Sequence, residues 1–334
     1  MRVGIIGCGN IAQVHAWSLQ SLGQTEQIEL AAFSDCRVEK AESMSAKYTD
    51  GKAGVYRDYV DMLEQADLDV VHICTPHYLH VPIAMEALKR DISVFMEKPP
   101  AVSTEEFDEM VQLASSSKAV AGFCFQNRYN ATTAELDRVV AQNMLGKVIG
   151  VRGFVTWRRD EDYYSDDWHG SLEKECGGVL INQSIHTLDL MLRYLGTPKT
   201  VAASMQNHHL AGITEVEDTL EAWLQFEDGK RASFYATTAY ATDAPVVLEV
   251  SFEKGRVMVI DKTVQIYENG KQPEIIYCDI NRPGVGKDYW GAGHLACIED
   301  FYRCKREGIA YKNDLAGVAN TLYTTMRIYE EARK

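Results

Sequence analysis

The sequence lacks the marks of several large classes of protein. Its eight cysteines are scattered over 334 residues without a Cys-x-x-Cys pair, which argues against a zinc site and against a disulfide framework. No apolar run is long enough to cross a bilayer, and the start MRVGIIG is too short and too glycine-rich for a signal peptide. Basic residues are outnumbered, with 34 Lys and Arg against 48 Asp and Glu. We therefore expect a cytoplasmic protein with reduced thiols, no metal, and neither nucleic acid nor a membrane as a partner.

The spacing of the apolar residues divides the chain into two parts, and its length also favours two domains. Over residues 1–124, short apolar runs alternate with segments of helical period, which is typical of a parallel sheet covered on both faces. The predicted strands are 3–6, 28–33, 69–74, 92–96 and 119–123. The predicted helices are 11–22, 38–48, 58–65 and 81–90. A further helix begins after Ser103, because Ser103 and Glu106 have the spacing of a capping box.

The pattern changes near residue 125. A helix over 132–143 is followed from residue 148 by longer strands that alternate polar and apolar residues. Three glycine-ended turns, at 227–229, 253–255 and 268–270, predict hairpins. One amphipathic helix is predicted over 177–196, and helices over about 294–306 and 315–333 end the chain. We predict an α/β protein with a doubly wound parallel sheet in residues 1–124 and an α+β domain with an open, mainly antiparallel sheet in residues 125–334.

A glycine-rich turn, GCGNIA, follows the first predicted strand and opens a helix. In dinucleotide-binding Rossmann domains such a turn needs a glycine at the position of Gly7 for tightness and one at the position of Gly9 for close approach of the pyrophosphate. Ala12 is small enough to replace the third glycine. The helix that begins at Asn10 and Ile11 then offers amide donors and a positive dipole to phosphate groups. The turn predicts a nucleotide site, and the alternative is a tight turn without a ligand.

Asp35 ends the second predicted strand, where a carboxylate can accept both hydroxyls of the adenosine ribose and repel a 2′-phosphate. This position favours NAD over NADP. Arg37 lies nearby and can pair with a 2′-phosphate, so NADP stays open. The alternative role for Asp35 is that of a turn residue or helix N-cap.

Two further loops follow predicted strands, at the sheet edge where open α/β sheets bind ligands. The first, Thr75-Pro76-His77-Tyr78-Leu79-His80, is placed for cofactor contacts, although its histidines are equally well explained as incidental. The second is Glu97-Lys98-Pro99. A lysine at this edge can donate to a substrate hydroxyl or carbonyl, and partial desolvation would bring its pKa toward a useful range. The alternative is a solvated surface lysine.

The predicted helix over 177–196 is mostly apolar but contains several polar residues. Asn182, His186 and Asp189 are spaced by four and three residues, which places them on one face of an α-helix. A satisfied buried network is the structural alternative to a site. Metal binding is less favoured, because asparagine is a poor ligand for transition metals.

The chain resembles the glucose–fructose oxidoreductase, inositol dehydrogenase and MocA (Gfo/Idh/MocA) family over nearly its whole length. The resemblance rests on four motifs in this order: GCGNIA, ICTPHYLH, EKP and GGVLINQSIHTLDL. The resemblance implies a Rossmann domain followed by an α/β domain with an open sheet. It also implies an NAD(P)-dependent oxidoreductase of sugars, polyols or their derivatives, which forms a homodimer or homotetramer through the C-terminal sheet.

The resemblance also implies roles for single residues. Lys98 matches a lysine that binds substrate and transfers a proton, and His186 matches an acid/base histidine. Asn182 stands where many members have Asp, so it can orient a hydroxyl but cannot take its proton. The expected cofactor contacts are Gly7, Gly9, Asn10, Ile11, Asp35, Thr75, Pro76, His77, His80, Glu97, Lys98, Gln126 and Asn127. The expected substrate contacts are Lys98, Arg128, Trp157, Arg158, Tyr163, Trp168, Asn182, Gln183, His186 and Tyr289.

Two features leave alternatives open. The segment WRRDEDYYSDDWH, residues 157–169, has aromatic rings that can stack on sugars and charged groups that can bind hydroxyls. It can equally be a polar loop with anchoring aromatics. The family resemblance also extends to NAD-dependent glycosidases, which regenerate their NAD, and to regulators that bind a dinucleotide. The presence of both Lys98 and His186 argues against a regulator.

Overall fold

The computed structural model describes residues 1–23, 25–278 and 293–334. Within them, one compact unit comprises residues 1–129 and 293–318, and the other comprises residues 130–278 and 319–334. The single boundary predicted after residue 124 differs from this division, because the first unit also contains a segment near the end of the chain. None of the helices in the described residues is both long enough and apolar enough to cross a bilayer.

The first unit is built on parallel strands. The strands are β1 (Arg2–Ile6), β2 (Glu29–Ser34), β3 (Gly54–Tyr56), β4 (Val70–Ile73), β5 (Ser93–Met96) and β6 (Ala121–Phe123). The helices between them are α1 (Asn10–Leu22), α2 (Val38–Thr49), α3 (Tyr59–Gln65), α4 (His80–Leu88) and α5 (Thr104–Ala114). The strand order β3-β2-β1-β4-β5-β6 is that of a Rossmann sheet. The predicted doubly wound sheet is therefore confirmed, and β3 is a strand that the sequence did not predict.

The second unit contains a larger sheet. Its elements begin with α6 (Ala131–Ala141), β7 (Val148–Thr156), a π-helical segment (Val179–Ser184) and α7 (Ile185–Leu195). The next strands are β8 (Thr200–Gln206), β9 (Thr219–Gln225), β10 (Arg231–Thr237), β11 (Val247–Phe252), β12 (Gly255–Ile260), β13 (Thr263–Glu268) and β14 (Glu274–Tyr277). The chain ends with α8 (Gly293–Glu307) and α9 (Leu315–Ala332).

The order of the second sheet is β14-β13-β12-β11-β7-β10-β9-β8. Among its described strands, β7 and β10 run parallel and the other neighbouring pairs run antiparallel. The three predicted hairpins join β9 to β10, β11 to β12, and β13 to β14, so all three are confirmed. The predicted α+β domain with a mainly antiparallel sheet is confirmed as well.

Helix α8 belongs to the first unit because its apolar face is buried there. Cys297, Ile298, Phe301 and Tyr302 join a hydrophobic cluster with residues of β1 and α1, and α8 packs against α1. Burying this face removes about 25 cal/mol of unfavourable hydration per Å² of apolar surface. Helical periodicity shows that α8 has an apolar face, but it does not show which sheet or helix that face covers.

The prediction of one continuous α-helix over 177–196 is wrong at its start, where Val179–Ser184 is π-helical. The hydroxyl of Ser184 donates to the carbonyl oxygens of Val179, at 2.7 Å, and Leu180, at 3.2 Å. The Ser184 side chain thus adds hydrogen bonds to the backbone of the widened turn. Segments of π-helix are frequently found at functional sites.

Candidate active site

The glycine-rich turn in the first unit has the geometry that the sequence predicts. Gly7 has φ of +83°, and a Cβ there would lie 2.7 Å from the carbonyl oxygen of Cys74. A larger residue would therefore be both strained and in collision with β4. A Cβ on Gly9, in contrast, would meet nothing within 4 Å. This open space above the backbone is what a pyrophosphate needs at the start of α1.

The amides at the start of α1 are available to an anion. Gly9 is the N-cap residue, and no side chain caps the helix. In the next loop of the same edge, the hydroxyl oxygen of Thr75 is buried and has no hydrogen-bond partner in the part of the chain that the structure describes. Buried polar groups ordinarily have partners. Both observations fit a bound dinucleotide, which would supply acceptors at this edge of the sheet.

Asp35 faces the glycine-rich turn. Its carboxylate accepts the amide N–H of Cys8 at 2.8 Å and that of Arg37 at 2.9 Å. The N-cap of α2 is Arg37 rather than Asp35, so the N-cap alternative is wrong, whereas the turn contact is present. Each carboxylate oxygen has a second lone pair, which keeps the ribose role open to Asp35.

The loop after β4 is tied to the loop after β5 by His80. Nδ1 of His80 lies 2.8 Å from the carbonyl oxygen of Pro99, and Nε2 lies 3.0 Å from that of Thr75. Burial lowers the pKa of His80 below its ordinary value. The neutral ring has a single N–H and can donate to one of these carbonyls at a time. His77 is also buried, in a 3₁₀ turn, His77–Leu79. The structure thus gives His80 a positioning role beside Lys98 and Pro99.

Lys98 is half-buried and lies two residues beyond the end of β5. The preceding residue, Glu97, is buried, and one of its carboxylate oxygens is 2.9 Å from Nε2 of His15. Its other oxygen accepts the amide N–H of Lys98 at 3.3 Å. Glu97 was predicted to contact the cofactor. The structure instead directs its carboxylate into the core of the unit, because a buried carboxylate needs hydrogen-bond donors.

A chain of buried hydrogen bonds continues from Glu97. Nδ1 of His15 is 2.8 Å from Nδ1 of His72, and Nε2 of His72 is 2.9 Å from the hydroxyl oxygen of Tyr302. One proton arrangement satisfies every link: Tyr302 donates to His72, His72 donates to His15, and His15 donates to Glu97. The arrangement agrees with the pKa of His72, which burial lowers well below the ordinary value.

The same chain determines the charge of Glu97. Burial acts to raise the pKa of Glu97, but the hydrogen bond from His15 and the nearby Lys98 ammonium outweigh burial, so the pKa lies well below its usual range. Cys124 lies close enough that ligand atoms of Cys124, His15 and Glu97 are within 4.8 Å of one another. Nε2 of His15 and Oε1 of Glu97 are already engaged in the hydrogen bond with each other.

In the second unit, three of the predicted substrate residues lie together. Nδ2 of Asn182 and Nε2 of Gln183 are 3.5 Å and 3.4 Å from the hydroxyl oxygen of Tyr163. The ring centroids of His169 and Tyr163 are 4.8 Å apart, and those of Trp168 and His169 are 3.7 Å apart. The segment 157–169 thus brings aromatic rings to the amides of the π-helical segment.

The polar residues of the predicted helix face do not share one set of partners. Asn182 donates to the buried carboxylate of Glu175, whereas Asp189 accepts the hydroxyl of Thr321 in α9 at 2.6 Å. Asp189 therefore belongs to a structural contact within the unit. His186 is half-buried. It lies in α7, whereas Asn182, four residues earlier, lies in the π-helical segment.

Two buried carboxylates support this segment, and the sequence analysis missed both. Glu217 accepts the amides of Gly178 at 2.8 Å and Leu180 at 3.1 Å, and the hydroxyl of Tyr329 at 2.8 Å. Burial raises the pKa of Glu217, although these hydrogen bonds oppose the rise. Glu175 holds Asn182. Glu217 meets the segment from a distant part of the chain, and Glu175 comes from the turn directly before Gly177, where no recognisable motif marks it.

The adjacent glycines of the segment are explained by close approach. A Cβ on Gly178 would lie 2.0 Å from the carbonyl oxygen of Glu217, and one on Gly177 would lie 2.2 Å from the hydroxyl oxygen of Tyr329. These distances are far inside van der Waals contact, so no side chain fits at either position. The two glycines allow the start of the π-helical segment to pack against β9 and α9.

Other predicted residues are placed differently. Arg158 pairs with Asp160, with Nη2 at 2.7 Å from the carboxylate. The ring of Trp157 is 5.1 Å from the guanidinium carbon of Arg159. In the first unit, Arg128 donates to the side-chain oxygen of Asn313 at 3.0 Å, so it holds a neighbouring loop rather than presenting its guanidinium to a ligand. Gln126 and Asn127 lie in a 3₁₀ turn, Gln126–Tyr129, and Tyr289 lies outside the described residues.

The sheet, the glycine-rich turn and the strand-end loops define a dinucleotide-binding α/β protein with a second domain. A family model described as "Oxidoreductase family, NAD-binding Rossmann fold" matches residues 1–124, and one described as "GFO/IDH/MocA C-terminal domain" matches residues 133–258. The chain belongs to the Gfo/Idh/MocA oxidoreductase family. The predicted family, fold class, enzyme class and cofactor are confirmed.

Individual relatives agree with this assignment. D-glucoside 3-dehydrogenase of Escherichia coli K12 is 29% identical over 255 residues, which are 75% of this chain and 70% of that protein. The WlbA dehydrogenase of Bordetella pertussis, solved with NADH and UDP-GlcNAcA, is 26% identical with a TM-score of 0.84, covering 100% of this chain and 97% of that one. Levoglucosan dehydrogenase, solved with NADH and levoglucosan, has a TM-score of 0.88 at 20% identity, with the same coverage, and supports the fold alone.

Proposed function

We propose that this oxidoreductase transfers hydride between a nicotinamide dinucleotide and a secondary alcohol of a sugar, a cyclic polyol or a sugar derivative. The supporting observation is the group formed by Tyr163, Asn182 and Gln183, with the rings of Trp168 and His169 beside it. Amides and a phenol hydroxyl match the many hydroxyls of a sugar, and aromatic rings match its apolar faces. The substrates named for the similar dehydrogenases belong to the same chemical class.

The cofactor is proposed to bind at the carboxyl edge of the first sheet. Gly7, Gly9 and the amides of Asn10 and Ile11 would receive the pyrophosphate, and Asp35 would receive the adenosine ribose. Thr75, Pro76 and His77 would line the same edge, with Gln126 and Asn127 near its end. When bound, the nicotinamide supplies the hydride chemistry. Because Asp35 repels a 2′-phosphate, we propose NAD as the preferred cofactor.

The proton of the substrate hydroxyl is assigned to Lys98 and His186. An unperturbed imidazole titrates near 6.5, so a histidine can take a proton near neutral pH, and a half-buried lysine can donate to a substrate oxygen. The side chain of Asn182 has no titratable proton and would orient the hydroxyl. His80 and Glu97 would act through Lys98, by holding the loops on either side of it.

Absorbance at 340 nm with a panel of inositols, aldoses, anhydrosugars and sugar acids tests the function, with NAD and NADP in parallel. We expect NADH to form with at least one member of the panel. The absence of NADH with every member, while NADH binding is confirmed by fluorescence, would contradict the proposal. Cleavage of aryl glycosides without net NADH would then identify a glycosidase, and dinucleotide binding without any turnover a regulator.

We further propose that the chain forms a homodimer or homotetramer through the open face of the second sheet. Along β9, Leu220, Ala222 and Leu224 are buried, whereas Trp223 is 64% exposed. The same face contains Glu249, whose buried carboxylate lies 3.0 Å from Nη2 of Arg152 and 3.6 Å from Nε of Arg256. Exposed aromatic residues and arginines are enriched in protein interfaces. The oligomer and a cytoplasmic location stay predictions.

Replacing Trp223 with arginine is expected to weaken self-association by at least tenfold, because it places a charge in the centre of an apolar contact. Analytical ultracentrifugation over a range of protein concentrations measures the change. Ile309→Arg, which puts the same charge on an apolar residue that is 50% exposed in the first unit, serves as the control. An unchanged association constant for Trp223→Arg would exclude this face as the interface.

A further inference from the structure

Glu175 is a buried carboxylate that the sequence analysis did not connect with the site. We infer that Glu175 is a positioning residue, which fixes the side-chain amide of Asn182 with its nitrogen toward the Glu175 carboxylate. The inference deepens the proposed function and rests on it, because it assigns Asn182 to the substrate hydroxyl. Glu175 is 0% exposed and belongs to the loop before the two glycines.

The contacts of Glu175 fix its own orientation first. One carboxylate oxygen, Oε2, accepts the amide N–H of Gly170, and Oε1 accepts Nδ2 of Asn182. The amide of Glu175 donates to the carbonyl oxygen of Ser171 at 2.9 Å. The backbone and both oxygens of Glu175 are therefore held within one loop, and the oxygen that faces Asn182 cannot turn away without breaking the Gly170 bond.

These contacts determine whether the nitrogen or the oxygen of the Asn182 side chain faces Glu175. A carboxylate can only accept hydrogen bonds, so the nitrogen of Asn182 must face Glu175. The same nitrogen also lies 3.5 Å from the hydroxyl oxygen of Tyr163, which can accept its second hydrogen. The nitrogen is thus directed to two protein acceptors, Glu175 and Tyr163.

The same contact explains why residue 182 is an amide. Aspartate at this position would place a second carboxylate against the buried carboxylate of Glu175. Two carboxylates in one desolvated site cannot both stay ionised, and one must retain a proton. Asparagine avoids this conflict and turns the contact into a charge-assisted hydrogen bond. Glu175 and Asn182 therefore form a matched pair, in which a carboxylate accepts a hydrogen bond from an amide.

Exchanging the two groups tests the pairing. We expect Asn182→Asp to lower kcat by about a hundredfold, because of the like charges. We expect Glu175→Gln to lower kcat by about tenfold, because an amide loses the charge and can place its own N–H against Gly170. The double variant Glu175→Gln with Asn182→Asp restores a carboxylate facing an amide. It should recover to within about tenfold of the parent, which is better than Asn182→Asp alone.

A second carboxylate in the same unit provides the matched control. Combining Glu217→Gln with Asn182→Asp also removes a buried negative charge, but Glu217 contacts Gly178 and Leu180 instead of Asn182. This combination should give no recovery over Asn182→Asp. If the Glu175 double variant loses activity additively, or if the Glu217 combination recovers equally well, the inference is overturned.

The free energy of unfolding, measured by urea denaturation without cofactor or substrate, separates this inference from the proposed function. The double variant should unfold at a higher urea concentration than Asn182→Asp, whatever the enzyme acts on. If the double variant is more stable in urea than Asn182→Asp, but the parent protein oxidises no member of the substrate panel, the pairing is supported and the proposed function is rejected. A lower urea midpoint for the double variant than for both single variants would reject the pair while leaving the function intact.

Discussion

Lys98→Met should lower kcat by about a thousandfold or more, since proton transfer by a positioned side chain contributes 10²–10⁴ in rate. Methionine retains much of the length and apolar bulk of lysine and removes only the ammonium group. Lys98 is half-buried at the carboxyl edge of the first sheet, directly after the Glu97 carboxylate that accepts its amide. Steady-state kinetics with the best substrate of the panel measures the loss.

Two controls give the Lys98 result its meaning. NADH affinity, followed by the quenching of tryptophan fluorescence, should change by less than about threefold, because Lys98 is proposed to act on the substrate. Lys98→Arg keeps a positive charge but cannot release a proton near neutral pH, so its kcat should stay low. Lys89→Met removes an exposed lysine at the end of α4 and should be neutral. Activity of Lys98→Met within a fewfold of the parent would exclude Lys98 from the reaction.

The second large effect is expected at Asp35. Asp35→Asn should weaken NAD binding by about ten- to a hundredfold, because a charge-assisted hydrogen bond to the ribose is lost. It should also strengthen NADP binding, because the carboxylate no longer repels the 2′-phosphate and Arg37 can pair with it. Isothermal titration with each cofactor gives both affinities directly. The ratio of the two affinities is the informative quantity.

The structure shows why asparagine is the better substitution. The Asp35 carboxylate accepts the amides of Cys8 and Arg37, so alanine would release the glycine-rich turn and weaken both cofactors together. Asparagine removes the charge and retains one of the two acceptor oxygens, so one of the two amide contacts can be kept. If Asp35→Asn changes the NAD and NADP affinities by the same factor, Asp35 supports the turn and does not choose the cofactor.

The buried chain from Tyr302 to Glu97 shows how the Rossmann core and the strand-end lysine are connected. Tyr302 lies in α8, His72 in β4 and His15 in α1. Together they fill the region behind Glu97 with polar groups that each have a partner. A fully satisfied polar network of this kind rigidifies its surroundings. Glu97 is thereby held in one place, and so is the peptide that begins at Lys98.

Much of the fold was predictable from the sequence, because its signals are local. The oxygen of Ser103 accepts the amide of Glu106 at 3.2 Å, as the capping box predicts. Gly7 adopts a positive φ because the turn after β1 requires it. Hairpin turns form between segments that are neighbours in sequence. The three residues of β3 were missed because so short a half-buried strand shows no alternation.

The sequence by itself determined the family, the parallel and antiparallel sheets, the glycine-rich turn and the position of Lys98, because strand periods, turns and motifs each involve only a few adjacent residues. Tertiary structure alone decided that α8 belongs to the first unit and that Glu97 turns inward toward His15. It also decided that Glu175 faces Asn182. These are contacts between side chains from separate segments, and burial selects them only when the chain has folded and each polar group must find a partner.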